Sequence, residues 1–170
     1  VGEGPVVTQQ ISLTGFSQLS VGVQSRVNYS ISPVYKVEVI AQQNIIDVLR
    51  IDKTGNELTV KLKPGVWLKN NEDILVNISA PDLTSVNLSG SATITVTGPL
   101  VASNLDLKVS GSGNIEVLQA TLSDKLTGNV SGSGTITVSG GSTVNETLRV
   151  SGSGNIHLTG IQAQKATTDI

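Results

Sequence analysis

The chain has 170 residues, 11 Lys and Arg against 13 Asp and Glu, and a formal net charge of −2, so it lacks the basic footprint that a phosphate backbone requires, and no nucleic-acid partner is expected. It contains no cysteine, which removes disulfide frameworks and thiolate metal sites, and it has no apolar run near the ~18 residues of a membrane-crossing helix. The length suits one domain, or one domain with a cap, rather than two independent domains.

In chain order, short alternating β segments come first: Gln10–Leu13, Val21–Val23 and Tyr35–Ile40. No long helical period competes with them. Val48–Asp52 and Glu57–Leu62 flank the polar, Gly-containing Lys53–Asn56, which predicts an antiparallel hairpin. Pro64–Gly65 marks a turn, Ile74–Ile78 reads as a further strand, and Ala80-Pro81-Asp82 marks the start of a regular array. Residues 1–82 are expected to form a β cap or irregular first coils, holding all four aromatic residues: Phe16, Tyr29, Tyr35 and Trp67. Beyond Trp67 the interior must be aliphatic, which suits stacked strands.

From Val86 the chain repeats. Val86–Val96, Leu107–Val117, Gly128–Val138 and Leu148–Leu158 align on Ser-Gly-Ser-Gly or Ser-Gly-Ser-Ala, and Val-Ser-Gly-Ser-Gly-Asn-Ile occurs unchanged at Val109–Ile115 and Val150–Ile156. Apolar columns stand at Leu88/Val109/Val130/Val150, Ile94/Ile115/Ile136/Ile156 and Val96/Val117/Val138/Leu158, with polar residues between them. A flexible Ser-Gly linker has no flanking alternation and no fixed period. The motif therefore reads as an ordered corner between two period-2 strands, with Gly allowing a positive φ and close approach of coils, and Ser satisfying backbone groups that leave the ladder. An isolated coil cannot offset its ordering entropy, whereas stacked coils share hydrogen bonds and apolar faces. The expected architecture is all-β: a right-handed parallel β-solenoid of ~20–21-residue coils over 83–170, continuous with the N-terminal cap. The handedness rests on the general bias of parallel connections.

The order Gly15-Phe16-Ser17-Gln18-Leu19, Ile78–Leu83, then serial Ser-Gly-Ser-Gly-Asn-Ile motifs resembles the head GIN domain of auto-transporter adhesins, from about Thr14 onward. The Gly-Asn-Ile signature stands at Gly113–Ile115 and Gly154–Ile156 and becomes Ala92-Thr93-Ile94 and Gly134-Thr135-Ile136 in the other coils. The resemblance implies a solenoid-like protein of the periplasm or cell surface, with a lipid anchor upstream as one arrangement, and it carries over no catalytic residues.

The chemistry-bearing residues are sparse. His157, the only histidine, shares an outward column with Thr95, Glu116 and Thr137, two rungs from Glu116 and so roughly 10 Å away. Many near-identical Ser positions around one His make no nucleophile–base arrangement. Asp106, Glu116, Asp124, Glu146 and Asp169 fall in different columns, unlike the gathered acidic ligands of polysaccharide lyases, and no aspartate occupies the Gly-rich corners as in calcium-binding β-rolls. Thr93-Ile94-Thr95 and Thr135-Ile136-Thr137 suggest an ice-binding row, but Asn114-Ile115-Glu116 and Asn155-Ile156-His157 interrupt it. Trp67 could stack on a sugar, although a lone Trp in such a chain is expected to anchor the core.

The reading is a non-enzymatic, extracytoplasmic, adhesin-like binding or structural module with no cofactor and an unidentified surface ligand, glycan or protein. Its candidate contact residues are Trp67, Asn114, Glu116, Asn155 and His157. The alternative is a carbohydrate-binding or carbohydrate-processing β-helix. Ile170 falls on the apolar position that precedes Ser-Gly-Ser-Gly in earlier coils, so a longer array, or end-to-end self-association, is a further expectation.

Overall fold

In the computed structural model, which describes residues 1–69 and 73–170, the period-2 segments become strands in two eight-stranded sheets. In chain order these are β1 (Val6–Gln10), β2 (Gln18–Val21), β3 (Arg26–Ile31), β4 (Lys36–Gln42), the single turn α1 (Gln43–Ile46), β5 (Leu49–Thr54), β6 (Glu57–Leu62), β7 (Leu75–Ala80), β8 (Ser85–Gly90) and β9 (Thr93–Thr97). There follow β10 (Leu100–Gly111), β11 (Asn114–Val117), β12 (Ala120–Gly132), β13 (Thr135–Val138), β14 (Gly141–Gly152), β15 (Asn155–Leu158) and β16 (Ile161–Asp169). The first sheet runs β1-β4-β7-β3-β9-β11-β13-β15 and the second β16-β14-β12-β10-β8-β2-β6-β5. Each coil contributes one strand to each sheet, in a parallel stack with a period of about 21 residues, and the solenoid makes about four regular turns.

The predicted columns lie inside. Leu88, Val109, Val130, Ile94, Ile115, Ile136, Val96, Val117 and Val138 are all buried, and cross-coil pairs such as Val109↔Val130 and Ile115↔Ile136 put like residues on successive rungs. In the last coil Val150, Ile156 and Leu158 are only partly buried.

The corners work by close backbone approach. The Ser133 and Thr135 N–H groups donate to Gly111 O and Gly113 O of the coil before, at 2.9 and 3.1 Å. These corner amides therefore stay in the coil-to-coil ladder and do not need the serine hydroxyls expected to satisfy them. A Cβ on Gly134 would stand 2.3 Å from Gly113 O, and one on Gly132, whose φ is +131°, would stand 2.6 Å from Gly111 O. No side chain fits there. The first regular coil carries Ala92 at the equivalent position; the coil stacked against it, Gln18–Ile31, turns through Gly22–Ser25 and has no Ser-Gly-Ser-Gly corner.

The spacing of 21, 21 and then 20 residues has a local cause. Between β12 and β14 the register offset falls from 21 at Ala120↔Gly141 to 20 at Lys125↔Asn145. The extra residue is a bulge in β12 beside Asp124, and a bulge bends its strand. At this bend Thr143 and Glu146 turn inward. Glu146 pairs with Leu126, which pairs with Leu105, so a carboxylate continues a leucine column at 9% exposure. Burial pushes its pKa above the usual carboxylate value.

Coils in the N-terminal half do not follow chain order. The Gln18–Ile31 coil lies between strands β6 and β7 on one side and the Ser85–Thr97 coil on the other, parallel to both. The chain leaves β3, runs back antiparallel as β4, turns through α1, and returns through the β5–β6 hairpin predicted around Lys53–Asn56. It then passes across the earlier coil through Pro81–Thr84 to reach β8. Hydrogen bonds latch that crossing: Tyr29 Oη to Asp82 O at 2.6 Å, Thr84 N and Thr84 Oγ1 to Ser17 O at 2.7 and 3.3 Å, and Ser32 N to Ala80 O at 2.9 Å. Phe16 packs edge-on to Tyr29 and Tyr35, with ring centroids 6.5 and 5.2 Å away, filling the wider interior at this level. The strand Arg26–Ile31 was not among the expected elements. Among the described residues no helix is long and apolar enough to cross a membrane.

Candidate functional site

The outward positions of the first sheet form rows that cross the coils. One row, built from Cα partners, runs Gln10, Glu38, Asn77, Asn28, Thr95, Glu116, Thr137, His157, and it is polar throughout. Alternation forces this: Ile94, Ile115 and Ile136 turn inward, so their neighbours must turn outward. A second row places Arg26, Thr93, Asn114, Thr135 and Asn155 alongside.

The two ends of the polar row differ. At the N-terminal end the side chains bind one another. Gln10 Nε2 donates to Glu38 Oε2 at 2.8 Å, Lys36 Nζ pairs with the same oxygen at 2.9 Å, and Asn28 Nδ2 donates to Asn77 Oδ1 at 3.2 Å. The hydrogen bonds from Lys36 and Gln10 hold the Glu38 carboxyl below its usual pKa. At the C-terminal end Glu116 and His157, with Asn114 and Asn155 of the second row beside them, are exposed, and among the described residues no hydrogen bond or ion pair engages their side chains. The structure thus brings four of the five expected contact residues onto one face. Glu116 and His157 are separated by Thr137, two rungs apart, so they form no acid–base pair. Among the described residues no three His, Cys, Asp or Glu side chains gather as metal ligands.

Trp67 stands elsewhere, in the 63–74 connection between β6 and β7. It is 88% exposed, which corrects the expectation of a core anchor. The interior is closed by Leu58, Val60, Ile74 and Val76 together with Phe16 and Tyr29, all buried, and the indole stands outside it.

Sequence reasoning missed a cleft on the same sheet. Its lining includes Val6, Arg26, Ile40, Asp73, Leu75 and Thr93, and it has a volume of about 530 Å³. The alternation of Arg26-Val27-Asn28-Tyr29-Ser30-Ile31 was the available signal for β3, but nothing in the sequence places that strand beside β7 and β9.

Residues 15–170 match the family described as "Putative auto-transporter adhesin, head GIN domain". The chain belongs to this family. Among solved structures, the head GIN domain chain is similar to a "putative adhesin" from Parabacteroides distasonis ATCC 8503, at 24% identity and a TM-score of 0.71, covering 98% of this chain and 79% of that one. A "Putative lipid binding protein" from the same organism is similar at 23% identity and a TM-score of 0.72, with the same coverage. A "putative adhesin" from Parabacteroides merdae ATCC 43184 is similar at 19% identity and a TM-score of 0.65, covering 99% and 97% of the two chains. These likenesses establish the fold. None of the curated proteins matches.

Proposed function

We propose that this head GIN domain is a non-enzymatic, extracytoplasmic binding module that presents the outer face of its first sheet to a surface ligand, protein or glycan. The observation that carries the reading is the contrast between the two ends of this face. Gln10, Glu38, Asn77 and Asn28 satisfy one another, whereas Glu116 and His157, with Asn114 and Asn155 of the neighbouring row, stand exposed and, among the described residues, unengaged on paired strands. Polar groups on a preorganised surface bind with little ordering cost. The family and two of the structural neighbours carry the adhesin name, which supports an adhesin-like role.

A second reading, carbohydrate binding, is favoured by one observation: Trp67 offers an exposed indole face on which a sugar can stack. A glycan array and a pull-down from host-cell surface protein, run on wild type, Glu116→Ala/His157→Ala and Trp67→Ala, separate the two. The leading reading expects binding lost in the double variant and kept in Trp67→Ala. Glycan binding lost only in Trp67→Ala supports the second. Turnover of a bound polysaccharide overturns the non-enzymatic assignment.

A further inference from the structure

The cleft around Arg26 has an order that the polar row lacks. Along one line of Cα partners the outward residues are Thr8, Ile40, Leu75, Arg26 and Thr93, on five adjacent strands. Ile40 and Leu75 are half-buried, and Val6, 62% exposed, adds an aliphatic wall beside them. Next to this floor stands Arg26, exposed, and among the described residues no ion pair engages it. Beyond it come the hydroxyls of Thr93 and Ser91. From Ile40 to Thr93 the line spans three strand spacings, roughly 14 Å.

We infer that this cleft binds a medium-chain aliphatic carboxylate, its chain along Ile40, Leu75 and Val6 and its carboxylate on the Arg26 guanidinium. The guanidinium fork matches a carboxylate with two parallel hydrogen bonds, and Thr93 offers a further donor on the next strand. The ligand chemistry follows from what the cleft holds. Its apolar lining is aliphatic, with no ring face for a sugar. β3, β4 and β7 are each paired on both sides, so those strands have no open edge for a peptide backbone. Asp73 lines the same cleft, and its negative charge favours a single carboxylate over a dianion or polyanion. The cleft lies on the same sheet as Glu116 and His157, with Thr93 paired to Asn114, but the carboxylate site at Arg26 does not rest on the proposed function.

The test is a titration of the ¹⁵N-labelled chain with sodium decanoate below its micelle concentration, followed by amide shifts. The expected result is saturable shifts confined to residues of β3, β4, β7 and β9, with binding roughly tenfold or more weaker in Arg26→Gln and only partly recovered in Arg26→Lys, which keeps the charge and loses the fork. Decyltrimethylammonium, with the same chain and the opposite charge, and glucuronate, with the carboxylate and no chain, are expected not to shift these amides. A melting curve of Arg26→Gln that superimposes on wild type shows that the variant is folded; if it does not, Thr93→Ala and Leu75→Ser supply the same comparison. Wild-type affinity in Arg26→Gln, shifts scattered over the surface, equal binding of the ammonium, or Arg26-dependent binding of glucuronate as tight as that of decanoate would each overturn the inference.

Discussion

Gly134→Ala tests whether the Ser-Gly-Ser-Gly corners are held by backbone contact between coils. The new Cβ would lie 2.3 Å from Gly113 O and 2.5 Å from Val109 Cγ1, where carbon contacts settle at about 3.5–4.0 Å. Relief requires the corner to open by about 1 Å. The Thr135 N–H to Gly113 O bond, now 3.1 Å, would then stretch past hydrogen-bonding distance. Overpacking of this kind costs about 1–3 kcal/mol and the lost bond about 0.5–1.5 kcal/mol more. Reduced freedom of the unfolded chain returns about 0.4–1 kcal/mol. The expected net loss is about 0.5–4 kcal/mol, centred on ~2 kcal/mol, a large share of the ~5–15 kcal/mol that holds a domain folded. The internal control is Gly140→Ala, whose Cβ would meet nothing closer than Leu118 O at 3.6 Å, with an expected change of less than about 1 kcal/mol. Urea unfolding followed by far-ultraviolet circular dichroism, with the slope unchanged between variants, measures both. Equal losses at the two glycines would refute the close-approach account of the corner.

Val130→Asp places an unpaired carboxylate in a fully buried column and should cost roughly 3–5 kcal/mol, whereas Thr137→Asp on the outward row should cost less than ~1 kcal/mol; similar losses in urea melts would invalidate the inward and outward assignment. Glu146→Gln should flatten the pH dependence of stability. Burial raises the folded-state pKa of Glu146, so the stability it contributes is full below its unfolded pKa and is lost as pH rises through the folded value; the variant should therefore gain on wild type from acidic to neutral pH, and parallel stability–pH curves would contradict this. Tyr29→Phe removes the 2.6 Å bond to Asp82 O and should lower stability by about 0.5–1.5 kcal/mol in the same urea assay, with no change indicating that the crossing needs no latch.

The repeat half was legible because its physics is local and periodic. Ile94, Ile115, Ile136 and Ile156 recur at coil spacing, polar neighbours alternate with them, and a parallel stack is the arrangement that buries each on the next. The sequence therefore determined the inward columns, the outward placement of Asn114, Glu116, Asn155 and His157, and the hairpin at Lys53–Asn56. Tertiary structure decided what depends on residues distant in sequence. The Gln18–Ile31 coil is flanked by strands from Glu57–Ala80 and Ser85–Thr97, and no periodicity relates those segments. Trp67 lies outside because Phe16, Tyr29 and their aliphatic neighbours had already filled the space a lone indole was expected to take. Glu146 faces inward because β14 breaks its alternation between Thr143 and Glu146, both inward and three residues apart, which sets Glu146 on the Leu105–Leu126 column; a change of parity along a strand exchanges its two faces. The Arg26 cleft exists because β1, β4, β7, β3 and β9, gathered from three separate stretches of chain, lie side by side. A column is written in the spacing of like residues, while a cleft is made by unlike residues whose adjacency only the folded topology creates.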